Sequence, residues 1–205
     1  MTGTIREHRL FEEYKAAGVL RSLQPVVSEG PEHFGLDARF LYIDPELVRR
    51  SAVAIAKLIH EDLCPDAGET CPDVIVSMEK SSTLENGSPF LGSRAAEALC
   101  KLNESRIAEG MDRPRFAMTR RGSKKTAPIV DGYAGAFCNQ SKAVIVLETV
   151  GTGETICAMA DEIRKYGIVI GAVALFQRKP IDMSNLNGVP LRIVFPEFFV
   201  PIRKK

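Results

Sequence analysis

Apolar positions along this chain alternate between two periods. Over residues 6–20 they fall at Leu10, Phe11, Tyr14 and Ala17, the spacing of one helix face, and the pattern stops at Gly18. A second helical stretch opens at Asp44, whose carboxylate can cap the first turn, with Pro45 where a missing N–H costs nothing. Its apolar face is Leu47, Ala52, Ala54, Ile55 and Leu58. Strand-length apolar runs occupy 73–77, 143–147 and 168–176, with a shorter one inside "RPRFAMTRR". Further helices are predicted over 91–101 and 155–166. The latter turns Ile156, Met159, Ala160 and Ile163 inward and ends on Gly167 as a left-handed cap.

Between these elements lie polar or Pro/Gly-rich stretches at 24–33, 64–72 and 78–88, and a basic loop after Arg120. The tail carries strand-like pieces, "LRIVF" and "FFVPI", around Pro196 and Pro201. Apolar strands alternating with amphipathic helices predict an α/β fold: a mostly parallel sheet flanked by helices on both faces. Ligands of such sheets bind beyond the carboxyl ends of the strands, and every loop of chemical interest here follows a strand.

Composition narrows the function classes. The 205 residues suffice for one sizeable core, and 45% are hydrophobic and 26% charged, ordinary values for a globular chain. A net charge of +1 carries none of the basic bias of a nucleic-acid or membrane-surface protein, so any electropositive site is local. The polar, charged start reads as no signal peptide, and the apolar runs are too short to span a bilayer; the expectation is a cytoplasmic protein. Five scattered cysteines do not suggest a disulfide framework. His60, Cys64 and Cys71 cluster, but their spacing fits no zinc pattern, and buried or loop thiols are the expected reading.

The stretch with the most chemistry is "VIVLETVGTGET", residues 144–155. An apolar strand gives way to Gly151, Thr152, Gly153, Glu154 and Thr155 where a helix begins. Glycines turn the backbone so that N–H groups face a concavity, threonine hydroxyls add donors, and the helix start contributes positive potential. Such a cradle suits a phosphate monoester. It is neither a Walker motif, lacking the lysine, nor GxGxxG.

Residues 145–155 resemble the signature of the type I phosphoribosyltransferases. Three other stretches are similar to orotate phosphoribosyltransferases in particular: "FLYIDPELV", the basic "TRRGSKKTAPIVDG", and "RKYGIVIGAVALFQR". The resemblance runs from about Leu10 to Arg178. It implies the type I fold with a small hood built from the N- and C-terminal segments, as one domain: 1–42 helix and hood, 43–180 α/β core, 181–205 C-terminal strands. It implies that Thr149, Val150, Gly151, Thr152, Gly153, Glu154 and Thr155 hold the 5-phosphate of phosphoribosyl pyrophosphate. Glu148 would hold ribose hydroxyls directly or through Mg2+. Arg120, Arg121 and Lys124 would grip pyrophosphate from a mobile loop, and Phe34 and Arg178 would meet the base. A homodimer, and a place in nucleotide (pyrimidine) metabolism, are implied with them.

The pattern departs from the family at four places. Leu147 stands where the first of two sugar-binding acids is usual, Thr126 where a loop histidine is usual, and the 78–88 stretch is long and charged rather than short and Gly-rich. At the base end, residues 28–35 lack the arginine and the second aromatic usual in orotate enzymes and carry Glu29 and Glu32, which suits a neutral or cationic acceptor better than the orotate anion. Two main functions therefore stay open, with a different transferase or a lyase acting on a ribose phosphate as a weaker third. One is a Mg2+-dependent transferase releasing pyrophosphate as phosphoribose joins a nitrogenous base. The other is a non-catalytic regulatory protein binding phosphoribosyl pyrophosphate or a nucleotide on the same fold.

Overall fold

The computed structural model describes residues 5–22, 34–36, 44–64, 71–79, 87–120, 128–129, 133–138 and 140–196. Helix α1 (Ile5–Ala16) ends before Gly18, as expected, and Gly18 takes a left-handed φ of 73°. Strands β1 (Leu20–Ser22) and β2 (Phe34–Leu36) form a small antiparallel pair of their own. Helix α2 (Pro45–Leu58) begins as the sequence predicts: the Asp44 carboxylate accepts the N–H groups of Glu46 at 2.9 Å and Leu47 at 3.2 Å. Its buried face is Leu47, Val48, Ser51, Ala52, Ile55 and Ala56, rotated slightly from the expected one, so Ala54 and Leu58 are only partly buried. It runs on into a π-helical turn, Ile59–Leu63, that the sequence pattern did not announce.

The central sheet has the order β4-β3-β5-β6-β7, every neighbouring pair parallel. Its strands are β3 (Val74–Glu79), β4 (Arg115–Arg120), β5 (Ser141–Val150), β6 (Gly167–Gln177) and β7 (Leu191–Ile193). Helices α3 (Gly87–Leu102) and α4 (Glu104–Ala108) lie between β3 and β4, and α5 (Glu154–Ile163) between β5 and β6. Helix α3 starts four residues earlier than its apolar spacing suggests, and α4 is a short addition with no buried residue. Strand β7, from the "LRIVF" piece, joins the edge of the main sheet, whereas "FFVPI" lies outside the described residues.

Strict alternation along the strands divides the core into two layers. Ile75, Val144, Val146, Val173 and Leu175 face α1, α2 and α3; Val74, Val76, Ala143, Ile145, Ala172 and Ala174 face α5. Helices thus cover both faces, as the pattern implied. Among the described residues no helix is long and apolar enough to cross a membrane.

One glycine works differently from expectation. Gly167 is not a left-handed cap: it opens β6, and helix α5 ends at Arg164 in the right-handed region. Its requirement is space, since a Cβ there would lie 2.3 Å from the Ser141 carbonyl oxygen on β5. Gly167→Ala is expected to cost roughly 1–3 kcal/mol of stability, because ladder backbone must move. Urea denaturation checks this, and an unchanged midpoint would contradict it.

Candidate functional site

Because the sheet is parallel, the carboxyl ends of β3, β4, β5 and β6 meet at one edge. Register places Glu79 of β3 beside Arg120 of β4, and Val150 of β5 beside Gln177 of β6. Arg120, Glu148, the 151–155 turn and Arg178 are therefore gathered at that edge.

Strand β5 continues three residues further than its apolar run, so Glu148, Thr149 and Val150 are strand residues. Val150 is buried and Thr149 half-buried. The chain then turns through Gly151 and Thr152 to Gly153, whose φ of 85° makes it a left-handed N-terminal residue for α5. Only glycine takes that conformation without strain. The pocket is equally demanding: a Cβ on Gly153 would sit 2.3 Å from Leu186 Cδ2. Leu186, fully buried, belongs to the helical turn Met183–Leu186, which Asp182 caps by accepting the Ser184 N–H. Arg164 of α5 donates to the Asn187 carbonyl at 2.9 Å, tying this turn to the helix it braces.

Helix α5 carries no side-chain cap. The nearest substitute is a long 3.5 Å contact from the Glu154 N–H to Thr152 Oγ1. First-turn N–H groups have no carbonyl partner within their own helix, so this end can receive an anion, with the dipole in its favour. Thr152, Glu154 and Thr155 have exposed side chains around it. Arg178 closes the other side. Its N–H bonds the Val150 carbonyl at 2.8 Å, and its Cδ lies 3.7 Å from where a Gly151 Cβ would be. Arg178, expected at the base, has its stem against the Gly151 turn.

The two halves of Leu147-Glu148 point to opposite faces. Leu147 is buried in the α5 layer with Ile145, Ile156 and Leu186, so an acid there would lie among aliphatic side chains. Glu148 is also buried, 2% exposed, but on the face toward α1. There Tyr14 is wholly buried, hydrogen-bonded to Ser51 Oγ, which itself donates to the Leu47 carbonyl at 2.6 Å. The Tyr14 hydroxyl is raised above the usual phenol range: burial does most, the Ser51 bond opposes it, and the Glu148 charge adds to it. The aromatic packing of Tyr14 against Phe176 and Phe195, with ring centroids 5.6 and 5.7 Å apart, fixes this layer behind the carboxylate.

Other expected residues are placed in part. Arg120 ends β4, exposed, its N–H on the Pro128 carbonyl at 2.8 Å. Phe34 lies in β2 opposite Ser22. Arg121, Lys124 and Thr126 lie outside the described residues, as does most of the 78–88 stretch. Cys64 and Cys71 are buried, as expected of structural thiols. A groove of about 820 Å³ between α2 and α3, floored by Val48, Val53 and Ala98, shares no residue with this edge. Sequence reasoning missed Leu186 altogether; its apolar character within a polar loop was the sole available signal.

No family model matches the sequence, and no curated protein matches it. Solved structures do match. An orotate phosphoribosyltransferase from Aeropyrum pernix superposes with a TM-score of 0.60 at 16% identity, over 90% of this chain and 92% of its own. Adenine phosphoribosyltransferase from Saccharomyces cerevisiae, complexed with an imino-altritol bisphosphate and adenine, gives 0.56 at 16% identity, over 91% and 99%. Leishmania donovani UMP synthase gives 0.57 at 18% identity, over 94% of this chain but 36% of that one, so the chain spans about a third of that protein's length.

Proposed function

On this type I phosphoribosyltransferase fold we propose a Mg2+-dependent transferase that moves 5-phosphoribose from phosphoribosyl pyrophosphate to a nitrogenous base. The bond from ribose C1 to pyrophosphate breaks, a ring nitrogen of the base bonds C1 in its place and gives up its proton to solvent, and pyrophosphate leaves. The observation that carries this reading is the uncapped start of α5 behind a left-handed Gly153, with Arg178 alongside. Backbone N–H groups there, with the Thr152 and Thr155 hydroxyls, receive the 5-phosphate. Thr149 and Val150 set the strand end from which the turn departs. Arg120, with Arg121 and Lys124, supplies cationic charge to the departing pyrophosphate, which stabilises charge as it develops. Phe34 and Arg178 border the base.

Glu148 holds the ribose hydroxyls. It is also the carboxylate that would hold Mg2+; among the described residues no three His, Cys, Asp or Glu side chains converge as a metal cage. One hard oxygen donor with phosphate oxygens and water suits Mg2+. When bound, Mg2+ would supply charge neutralisation on the pyrophosphate. The whole chain, 1–205, works as one such domain, in the cytoplasm, and pairs as a homodimer; sizing chromatography at twice the chain mass of 22.5 kDa is the expected result.

A second reading, a regulator binding phosphoribosyl pyrophosphate or a nucleotide without turnover, is favoured by one observation: Leu147 is part of the core, so only one acid remains. Pyrophosphate release separates the two. With Mg2+, phosphoribosyl pyrophosphate and a panel of purine and pyrimidine bases, the transferase releases pyrophosphate with at least one base. Binding without release from any base would favour the regulator.

Glu154 offers a finer test. Its carboxylate occupies the first turn of α5 and competes with a bound phosphate for the same positive end. Glu154→Gln is expected to tighten ribose 5-phosphate binding about 2- to 5-fold at low salt. Weaker binding by calorimetry would show that the helix end is not the anion site.

A further inference from the structure

We propose that Arg164, at the end of α5 far from the phosphate turn, is a positioning residue for a 5-phosphorylated ribose, acting through Asn187 and Leu186 on Gly153. The proposal rests on the reading that the start of α5 receives the 5-phosphate. Helix α5 is ten residues long, so roughly 15 Å separates Arg164 from that turn along the helix. The link between them is the segment 182–188, which joins β6 to β7 in the chain and packs on α5 through its helical turn.

Each step of the link is a contact or a peptide neighbour. Arg164 Nη2 donates to the Asn187 carbonyl at 2.9 Å. Asn187 has a left-handed φ of 50°, and Gly188 follows at 76°. A residue with a side chain keeps that conformation where its surroundings hold it, and the guanidinium holds the carbonyl of this one. Leu186, one residue back, is fully buried, and its carbonyl accepts the Val189 N–H at 3.0 Å. A Cβ on Gly153 would stand 2.3 Å from Leu186 Cδ2, so this side chain lies directly against the Gly153 backbone.

At the start of the segment the Asp182 carboxylate accepts the Ser184 N–H at 3.0 Å and the Ser184 hydroxyl at 2.6 Å. Those bonds lie within the segment, whereas Arg164 ties it to the helix. With Arg164 removed, the Asn187 peptide can turn and Leu186 can retreat from Gly153. The left-handed turn then loses the wall that keeps its N–H groups converged on the phosphate. Arg164 itself is 42% exposed, and its ion-pair partner Asp161, at 3.2 Å, is on the same helix, so a substitution there leaves the core intact.

Calorimetric titration of ribose 5-phosphate into the full chain is the test. The wild type binds, and Arg164→Ala is expected to bind about 3- to 10-fold more weakly, with little change in melting temperature. Asp161→Ala, which removes the ion pair and keeps the Asn187 bond, is expected to match the wild type. Leu186→Ala alone weakens binding, and adding Arg164→Ala to it is expected to weaken binding no further, because the link is already cut. Where Leu186→Ala does not fold, Arg164→Ala against Asp161→Ala decides alone. In turnover the Arg164→Ala loss falls on KM for phosphoribosyl pyrophosphate and not on kcat, since the 5-phosphate takes no part in the exchange at C1. Equal affinity in the wild type and Arg164→Ala would overturn the proposal and leave the phosphate reading in place. So would an equal loss in Asp161→Ala, or losses that add fully in the double variant. A wild-type chain that does not bind ribose 5-phosphate overturns the phosphate reading itself, and this proposal with it.

Discussion

Gly153→Ala is expected to weaken binding of phosphoribosyl pyrophosphate roughly 100-fold, with a lower melting temperature. Two costs act together. At φ 85° an alanine lies in the left-handed region, which costs about 1–2 kcal/mol. The new methyl carbon would also stand 2.3 Å from Leu186 Cδ2, and overpacking of this kind costs about 1–3 kcal/mol. The strain can be relieved by rotating the turn, which takes the first N–H groups of α5 off the phosphate. Leu186→Ala in the same chain should restore part of the binding, because it removes the collision but not the φ penalty. Calorimetric titration of both variants measures this. Full affinity in Gly153→Ala would mean the turn does not hold the phosphate.

Glu148→Gln is expected to lower kcat/KM about 100-fold, equivalent to roughly 3 kcal/mol of transition-state stabilisation, in a protein that still folds. The substitution keeps shape and removes charge. Glu148 is buried beside Tyr14, and the amide fills the same space, so packing there is largely kept. Loss of the charge proposed to meet ribose and Mg2+ falls on the reaction. A variant with full kcat/KM would remove Glu148 from the site, and one that merely unfolds would assign it a structural role.

The fold was legible where periodicity and local chemistry decide it. The Asp44–Pro45 start of α2, the stop at Gly18, the inward face of α5 and the strands around 75, 145 and 172 each follow from side chains within a few residues. What escaped was set by distant partners. Gly167 reads as a helix cap from its neighbours, but it is required by the Ser141 carbonyl of another strand. Strand β5 extends through Glu148 because Leu147, Thr149 and Val150 pair with Ala174, Phe176 and Gln177 of β6. Of the candidate site, the strand-to-helix turn through Gly151 and Gly153 was visible in its glycines and threonines. The brace formed by Leu186 and the stem of Arg178 was not, since no local pattern links residue 153 to 186 or 151 to 178. Leu147 was visible as a departure; that it fills the α5 layer needed the structure.

One titration tests the phosphate site most directly: phosphoribosyl pyrophosphate with Mg2+ into the wild-type protein, followed by calorimetry. Saturable binding, one ligand per chain, displaced by ribose 5-phosphate and largely lost in Gly153→Ala, is the predicted result. A flat titration across millimolar ligand would contradict the phosphate site, and with it both the transferase and the regulator.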